Sequence, residues 1–352
     1  MTLYLNRLVR LVLLLSVMVG LVACKPNPQD DIALFQLFIT ENINKKSADP
    51  YISSTVKPGD KMYDILVNIQ HGRHDSAANK LQALIEENDS DAMVWYAKLI
   101  YRSSINNRPK ALSLYQTAME DDNPYAYIML SPGLISSGCA RYFGEKNCTQ
   151  EHFNKAIELF KPLAAQGDLR AQYFLLKQQQ LDQSKDTRVQ YIQEVIRFSQ
   201  AHYYQPLMDY VNTILVHPQG KDKYEAKTPE LYQLAIQLLT IAANHNYIPA
   251  IIDLAFLVDD KNGQDELLDR AINLGSTKIV RYKLYEEPIN SSGRYFYNVV
   301  FKHLSGDYKL GNDKPDDKGE IERIEKEVAL FMGNIHSSVY IDGFTSRDDW
   351  VD

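Results

Sequence analysis

The chain has 352 residues, and its 45 acidic side chains outnumber 38 basic ones to give a formal charge of −7. With that balance and no basic block it is a poor partner for nucleic acid. Its length allows two globular domains, although one continuous repeat array needs no such division.

Residues 1–24 read MTLYLNRLVRLVLLLSVMVGLVAC. Arg7 and Arg10 give a basic start, and residues 11–22 give an apolar core of signal-peptide length. A membrane-spanning helix needs about 20 apolar residues, whereas polar sequence follows here at once. An ordinary cleaved signal and a short anchor are the bland alternatives. The closing Leu21-Val22-Ala23-Cys24 resembles the bacterial lipobox, which implies cleavage before Cys24 and a diacylglycerol on its thiol. Lys25 stands where Asp is the inner-membrane retention signal of enteric bacteria. The same resemblance therefore implies an outer-membrane, lipid-anchored protein facing the periplasm, with the inner membrane as the alternative. Without Arg7 and Arg10 the formal charge moves from −7 to −9. Residues 24–31, rich in Pro and polar groups, form an extended tether.

Two helices are expected next, IALFQLFITENINKK (32–46) and DKMYDILVNIQH (60–71), separated by a loop with Pro and Gly breakers. They fit no repeating frame. The terminal unit of a repeat array must hide its apolar face, so residues 32–74 are expected to act as an N-terminal helical cap.

From residue 75 one frame recurs. In AIELFKPLAAQGDLRAQYFL (156–175), Ala156, Phe160, Leu163 and Ala164 make the apolar stripe of an amphipathic helix. Gly167 ends that helix, and Ala171 with Leu175 starts a second stripe. Aligned on the second-helix anchor, the copies are Ala92, Ala126, Ala171, Pro206, Ala250 and Ile279. Eleven residues upstream stand Leu81, Tyr115, Phe160, Val195, Leu239 and Leu268, all large and apolar. Four upstream stand Asn88, Asp122, Gly167, His202, Asn246 and Gly275; all but the histidine are types that tolerate a left-handed turn. Anchor spacings of 34, 45, 35, 44 and 29 residues bracket the period of helix-turn-helix arrays.

This pattern, A-x3-aromatic/Leu-x2-A-A-x2-G-x3-A, resembles the Sel-one-like repeat of the tetratricopeptide superfamily. The copies at 111–130, 156–175 and 235–254 match best, and those at 191–210 and 264–283 lack Ala at the first position. The resemblance covers residues 75–288 and implies an all-α fold: an α-solenoid of about six helix-turn-helix repeats that binds protein. Residues 289–352 are then a mixed C-terminal cap and tail.

Cys139 and Cys148 lie in a long insertion, residues 131–150; an isolated pair closing a small loop in an oxidising compartment reads as a disulfide. A metal or redox pair is the alternative, but the C-x-x-C spacing is missing. A second insertion covers residues 215–229. Both follow a second helix and should project from one side of the array. Towards the end, RYFYNVVFKHL (294–304) leaves strand and short helix open, EIERIEKEVALFMG (320–333) reads as a helix with Ile321, Ile324, Val328 and Phe331 on one face, and residues 337–352 read as an irregular tail.

No H-E-x-x-H, G-x-S-x-G or P-loop pattern occurs, and the eight His residues are dispersed. DDKNGQDE (259–266) looks like a fragment of a calcium loop, but Val258 occupies the first ligand position, so it reads instead as a helix boundary capped through Asn262 or Asp265. No catalytic residue, metal or cofactor is expected, and the chain reads as no enzyme. Tyr is the compositional excess, at 23 residues. Tyr125, Tyr127, Tyr203 and Tyr204 are candidate protein-binding residues, since Tyr is enriched at interfaces, with filling between helices as the alternative. The expected role is a periplasm-facing lipoprotein scaffold whose partner is an unidentified envelope or effector protein, with the membrane reached through the lipid on Cys24. Family resemblance also implies an alternative, an immunity protein neutralising a secreted phospholipase-type effector. A cell-wall or β-lactam-acting enzyme is a weaker one, since the relatives proposed for it carry a Cys pair in nearly every repeat.

Overall fold

The computed structural model describes residues 26–132, 138–216, 225–310 and 314–350. The protein is all-helical, and the exception among the described residues is a two-stranded antiparallel ladder, β1 (Leu215–Val216) with β2 (Glu225–Ala226). This ladder closes the base of the second insertion, whose residues 217–224 lie outside the described ones.

Helices α1 (Asp31–Asn42) and α2 (Tyr63–Gln70) come first, followed by α3 (His74–Glu86) with α4 (Ser90–Ile100) and α5 (Arg108–Glu120) with α6 (Pro124–Met129). The short α7 (Cys139–Phe143) precedes α8 (Gln150–Ala165) with α9 (Leu169–Gln178), then α10 (Arg188–Gln200) with α11 (Gln205–Ile214). The series continues through α12 (Pro229–Asn244) with α13 (Ile248–Leu257), and α14 (Lys261–Asn273) with α15 (Thr277–Glu286). It ends in α16 (Ser292–Ser305) and α17 (Lys318–Met332). From α2 onward the helices pack chiefly on their sequence neighbours, an arrangement consistent with a helical repeat.

The aligned frame explains the turns residue by residue. Asn88, Asp122, Gly167, His202, Asn246 and Gly275 all have positive φ, between 53° and 96°. Each lies just past the end of a first helix, where the chain must reverse. The next residue often caps the following helix: Asp89 accepts from the Ala92 amide, Asn123 from Tyr125 and Ala126, Asp168 from Arg170 and Ala171, and Ser276 from Ile279. Such caps satisfy amides that a helix start otherwise leaves unpaired. The anchors Ala92, Ala126, Ala171, Ala250 and Ile279 are fully buried, as are Leu81, Tyr115, Phe160, Val195, Leu239 and Leu268 on the first helices. Small residues at the crossings let large ones interdigitate beside them.

The ends behave differently from the sequence expectation. α1 packs on α10 and α12, far along the chain, rather than over the first helix pair. Its Phe35, Phe38 and Ile39 enter the same core as Tyr210, Leu231 and Leu238. A buried ion pair fixes this docking: the Arg188 guanidinium donates to both Asp31 carboxylate oxygens, with Nη2–Oδ2 at 2.6 Å, and the Tyr210 hydroxyl donates to Asp31 Oδ2 at 3.0 Å. α2, by contrast, does pack on α3.

Residues 294–304 belong to a helix, α16. Tyr295, Val299, Val300 and Leu304 repeat at helical spacing and are buried, which outweighs their β propensity. Asp260 caps α14, accepting from the Asn262 and Gly263 amides, so Asn262 and Asp265 lie inside that helix instead of capping it. Residues 334–350 hold only one short 3-10 turn, Arg347–Asp349, yet Val339, Ile341 and Trp350 are fully buried. This tail is irregular in backbone and central in position.

Candidate functional site: the groove occupied by the tail

Residues 334–350 run as an extended segment past successive helix pairs. The amides of His336 and Ser338 donate to the carbonyls of Asn273 and Leu274, at the α14–α15 turn. The Thr55 amide donates to the Val339 carbonyl, and the Gln70 side chain bonds the Ser338 carbonyl and the Tyr340 amide. These contacts satisfy main-chain groups that an extended segment cannot pair within itself.

At Asp342 the tail bends. Asp342 Oδ1 accepts from the Phe344 and Thr345 amides, an Asx-type turn, while Oδ2 accepts from the Tyr203 hydroxyl at 3.2 Å. Gly343 is required here because a Cβ would collide with the Tyr125 ring. Phe344 then fills an aromatic pocket made by Tyr125, Phe160 and Phe174. The ammonium of Lys98, 3% exposed, donates to the carbonyls of Gly343 at 2.9 Å and Thr345 at 3.2 Å. It also lies 4.8 Å from the Trp95 ring centre and 5.3 Å from that of Trp350, so two indoles share the charge by cation–π attraction. Burial pushes its pKa down to about 8, a shift opposed by the charge of Asp342.

Beside the tail lies a cavity of about 690 Å³, within the size range of ligand sites. One wall is the tail itself, through Tyr340, Asp342 and Phe344. The other is built from α9, α11 and α13 and presents Tyr173, Asp209 and Asp253. The Tyr173 hydroxyl donates to Asp209 Oδ2 at 2.6 Å; burial and that carboxylate together raise the phenol's pKa.

The sequence candidates divide accordingly. Tyr125 and Tyr203 do face the groove, where the tail already covers them. Tyr127 lies apart, its hydroxyl donating to the Met119 carbonyl at 3.3 Å beside His152. Tyr204 is 1% exposed and packs with His202, His245 and Tyr247. It therefore gives a partner no surface, because its position before α11 turns the ring into the core. Cys139 and Cys148 are joined by a disulfide, Cα atoms 6.0 Å apart. Their loop is packed rather than projecting: Phe143 meets Tyr115 edge-on at 5.8 Å, and Tyr142 meets Tyr101 at 5.1 Å. Residues 133–137 of that insertion, and Cys24 with the whole leader, lie outside the described residues.

Lys98 and Asp342 were not singled out by sequence. A signal for Lys98 exists: it is the one charge in the run AMVWYAKLIY, on a helix buried on nearly every side. Among the described residues no group of three or more His, Cys, Asp or Glu is placed to hold a metal ion, and no helix is long and apolar enough to cross a membrane. No family model, no curated protein and no solved structure matches this chain.

Proposed function

We propose that the chain is a protein-binding scaffold: an α-solenoid of about six helix-turn-helix units of Sel-one-like type, tethered through lipid on Cys24 to the periplasmic face of the outer membrane. The observation that carries protein binding is the tail. Residues 334–350 lie along the groove as an extended peptide, held through main-chain hydrogen bonds and a pocket for Phe344. A surface furnished to grip one extended polypeptide has the chemistry to grip another. The left-handed turn residue at each aligned position supports the repeat reading, and the lack of a nucleophile–base pattern in the sequence favours binding over catalysis.

Two measurements test it. Fatty-acid labelling should be lost in Cys24→Ser, with release of the protein into the soluble periplasm; unchanged labelling would remove the anchor. Affinity capture with the lipidated protein should recover one dominant envelope or effector protein. Capture of a secreted lipase that the chain inhibits would establish the immunity role. Turnover of peptidoglycan or β-lactam substrates with no protein bound would overturn the scaffold.

A further inference from the structure

We propose that the cavity beside the tail is a receptor for cationic side chains, arginine or lysine, presented by an extended segment of the partner protein. This rests on the protein-binding reading and adds the chemistry of what is bound. The cavity is lined by the carboxylates of Asp209, Asp253, Asp342, Asp348 and Asp349, against the ammonium groups of Lys177 and Lys278, with Asp348 already paired to the Arg102 guanidinium at 2.7 Å. A concave site with an excess of one sign of charge focuses its field and concentrates the opposite charge. Its remaining walls include the rings of Tyr173, Tyr203 and Tyr247, whose faces attract cations and repel anions.

The groove already shows this mode of recognition twice with its own lysines. The Lys177 ammonium sits 4.8 Å from the centre of the Tyr173 ring, at the cavity's edge. Farther along the groove, Lys98 is held by the rings of Trp95 and Trp350 and by two tail carbonyls. An ammonium on an aromatic face beside the tail is thus an arrangement this fold builds and keeps. Two of the carboxylates are fixed in place in advance. Asp209 accepts from Tyr173 and Gln205, and Asp342 from Tyr203 and its own turn, which orients both without using every lone pair. Burial, with the neighbouring charge of Asp348, raises the pKa of Asp349; an incoming cation would relieve that repulsion. A partner segment lying alongside residues 340–348 would place a side chain in the cavity, as the tail places Phe344 in its own pocket.

The test uses the full mature chain and a fluorescent, capped peptide of alternating Gly and Arg, read by anisotropy at low salt. Saturable binding is expected, with none for the matched Gly-Glu peptide. Asp253→Asn with Asp349→Asn should weaken binding about ten-fold or more, while Glu86→Gln with Glu322→Gln, an equal charge loss on outward-facing helix positions, should change it by less than about two-fold. Should the cavity variant fail to fold, Lys278→Glu, at an exposed position, should instead tighten binding. Equal losses in both double variants, no loss in the cavity variant, or no saturable binding would overturn the proposal. If the captured native partner binds the cavity variant undiminished, the proposal falls and the scaffold reading stands. If no protein is captured but the arginine peptide still binds at the cavity, the scaffold reading and the partner segment fall, while the cation chemistry of the cavity stands.

Discussion

Phe344 lies face to face with Phe174, ring centres 5.2 Å apart and planes 5° from parallel. One ring comes from the irregular tail and the other from α9, so this stack is a direct measure of how firmly the tail is held. Phe344→Ala should lower stability by about 2 to 4 kcal/mol, since the surrounding Tyr125, Phe160 and Phe174 cannot all collapse into the space. Urea unfolding would show it as a lower midpoint at unchanged slope.

Asp31 and Arg188 test the docking of α1. Asp31→Asn leaves a buried guanidinium without its carboxylate and should cost about 3 to 5 kcal/mol. Adding Arg188→Met should recover part of that loss, because the stranded charge is then gone. A double-mutant cycle from thermal or urea melts would give the coupling, and purely additive costs would contradict a working pair.

His71 gives the acid limb of stability. Burial first, and the charge of Arg73 second, lower its pKa from 6.5 to about 3. Folded, it stays neutral as the pH falls, whereas unfolded it protonates below about 6.5. The folded value is depressed, so its contribution is whole above pH 6.5 and is lost as pH falls towards 3, on the order of 2 kcal/mol by pH 5. His71→Gln should therefore unfold with a flatter pH dependence between 7 and 5, measured as urea midpoints at each pH.

Gly167 and Gly275 separate two costs at equivalent turns. Both have φ above 90°. A Cβ on Gly167 meets nothing within 4 Å, so Gly167→Ala should cost only the left-handed backbone, about 1 to 2 kcal/mol. On Gly275 it would lie 2.8 Å from Ser337 Oγ and 3.1 Å from His71 Nε2. Gly275→Ala should therefore cost more, and it should loosen the tail as well, which hydrogen exchange at Ser338 would report.

The helix pairs were legible because their determinants are local. A small anchor, a large apolar residue eleven positions earlier and a left-handed turn residue such as Asn246 or Gly275 all act within one turn-spanning window. α16 was harder to read, since β-branched and aromatic residues fit strand and helix alike until Val299 and Leu304 find a partner face. The placement of α1 had no local signature: Asp31 meets Arg188 across 157 positions. The groove was the least legible part. Lys98, Gly343 and Asp342 acquire their roles only when the tail is laid against α4, Tyr125 of α6 and Tyr203 before α11, and no periodicity records that contact. The preference for Tyr at a surface likewise could not separate Tyr203, which faces the groove, from its neighbour Tyr204, which is buried.

The bonds from Ser54 and Thr55 to Val339, across 285 and 284 positions, bear on how the molecule comes apart. Helical arrays in which each unit touches only its neighbours fray from their ends and have low contact order. Here an early loop is clasped to a late one through the middle of the stack, so neither end can peel away without releasing the other. Unfolding should therefore be a single cooperative event, with a slow refolding step set by the loop closure that brings residue 55 to residue 339.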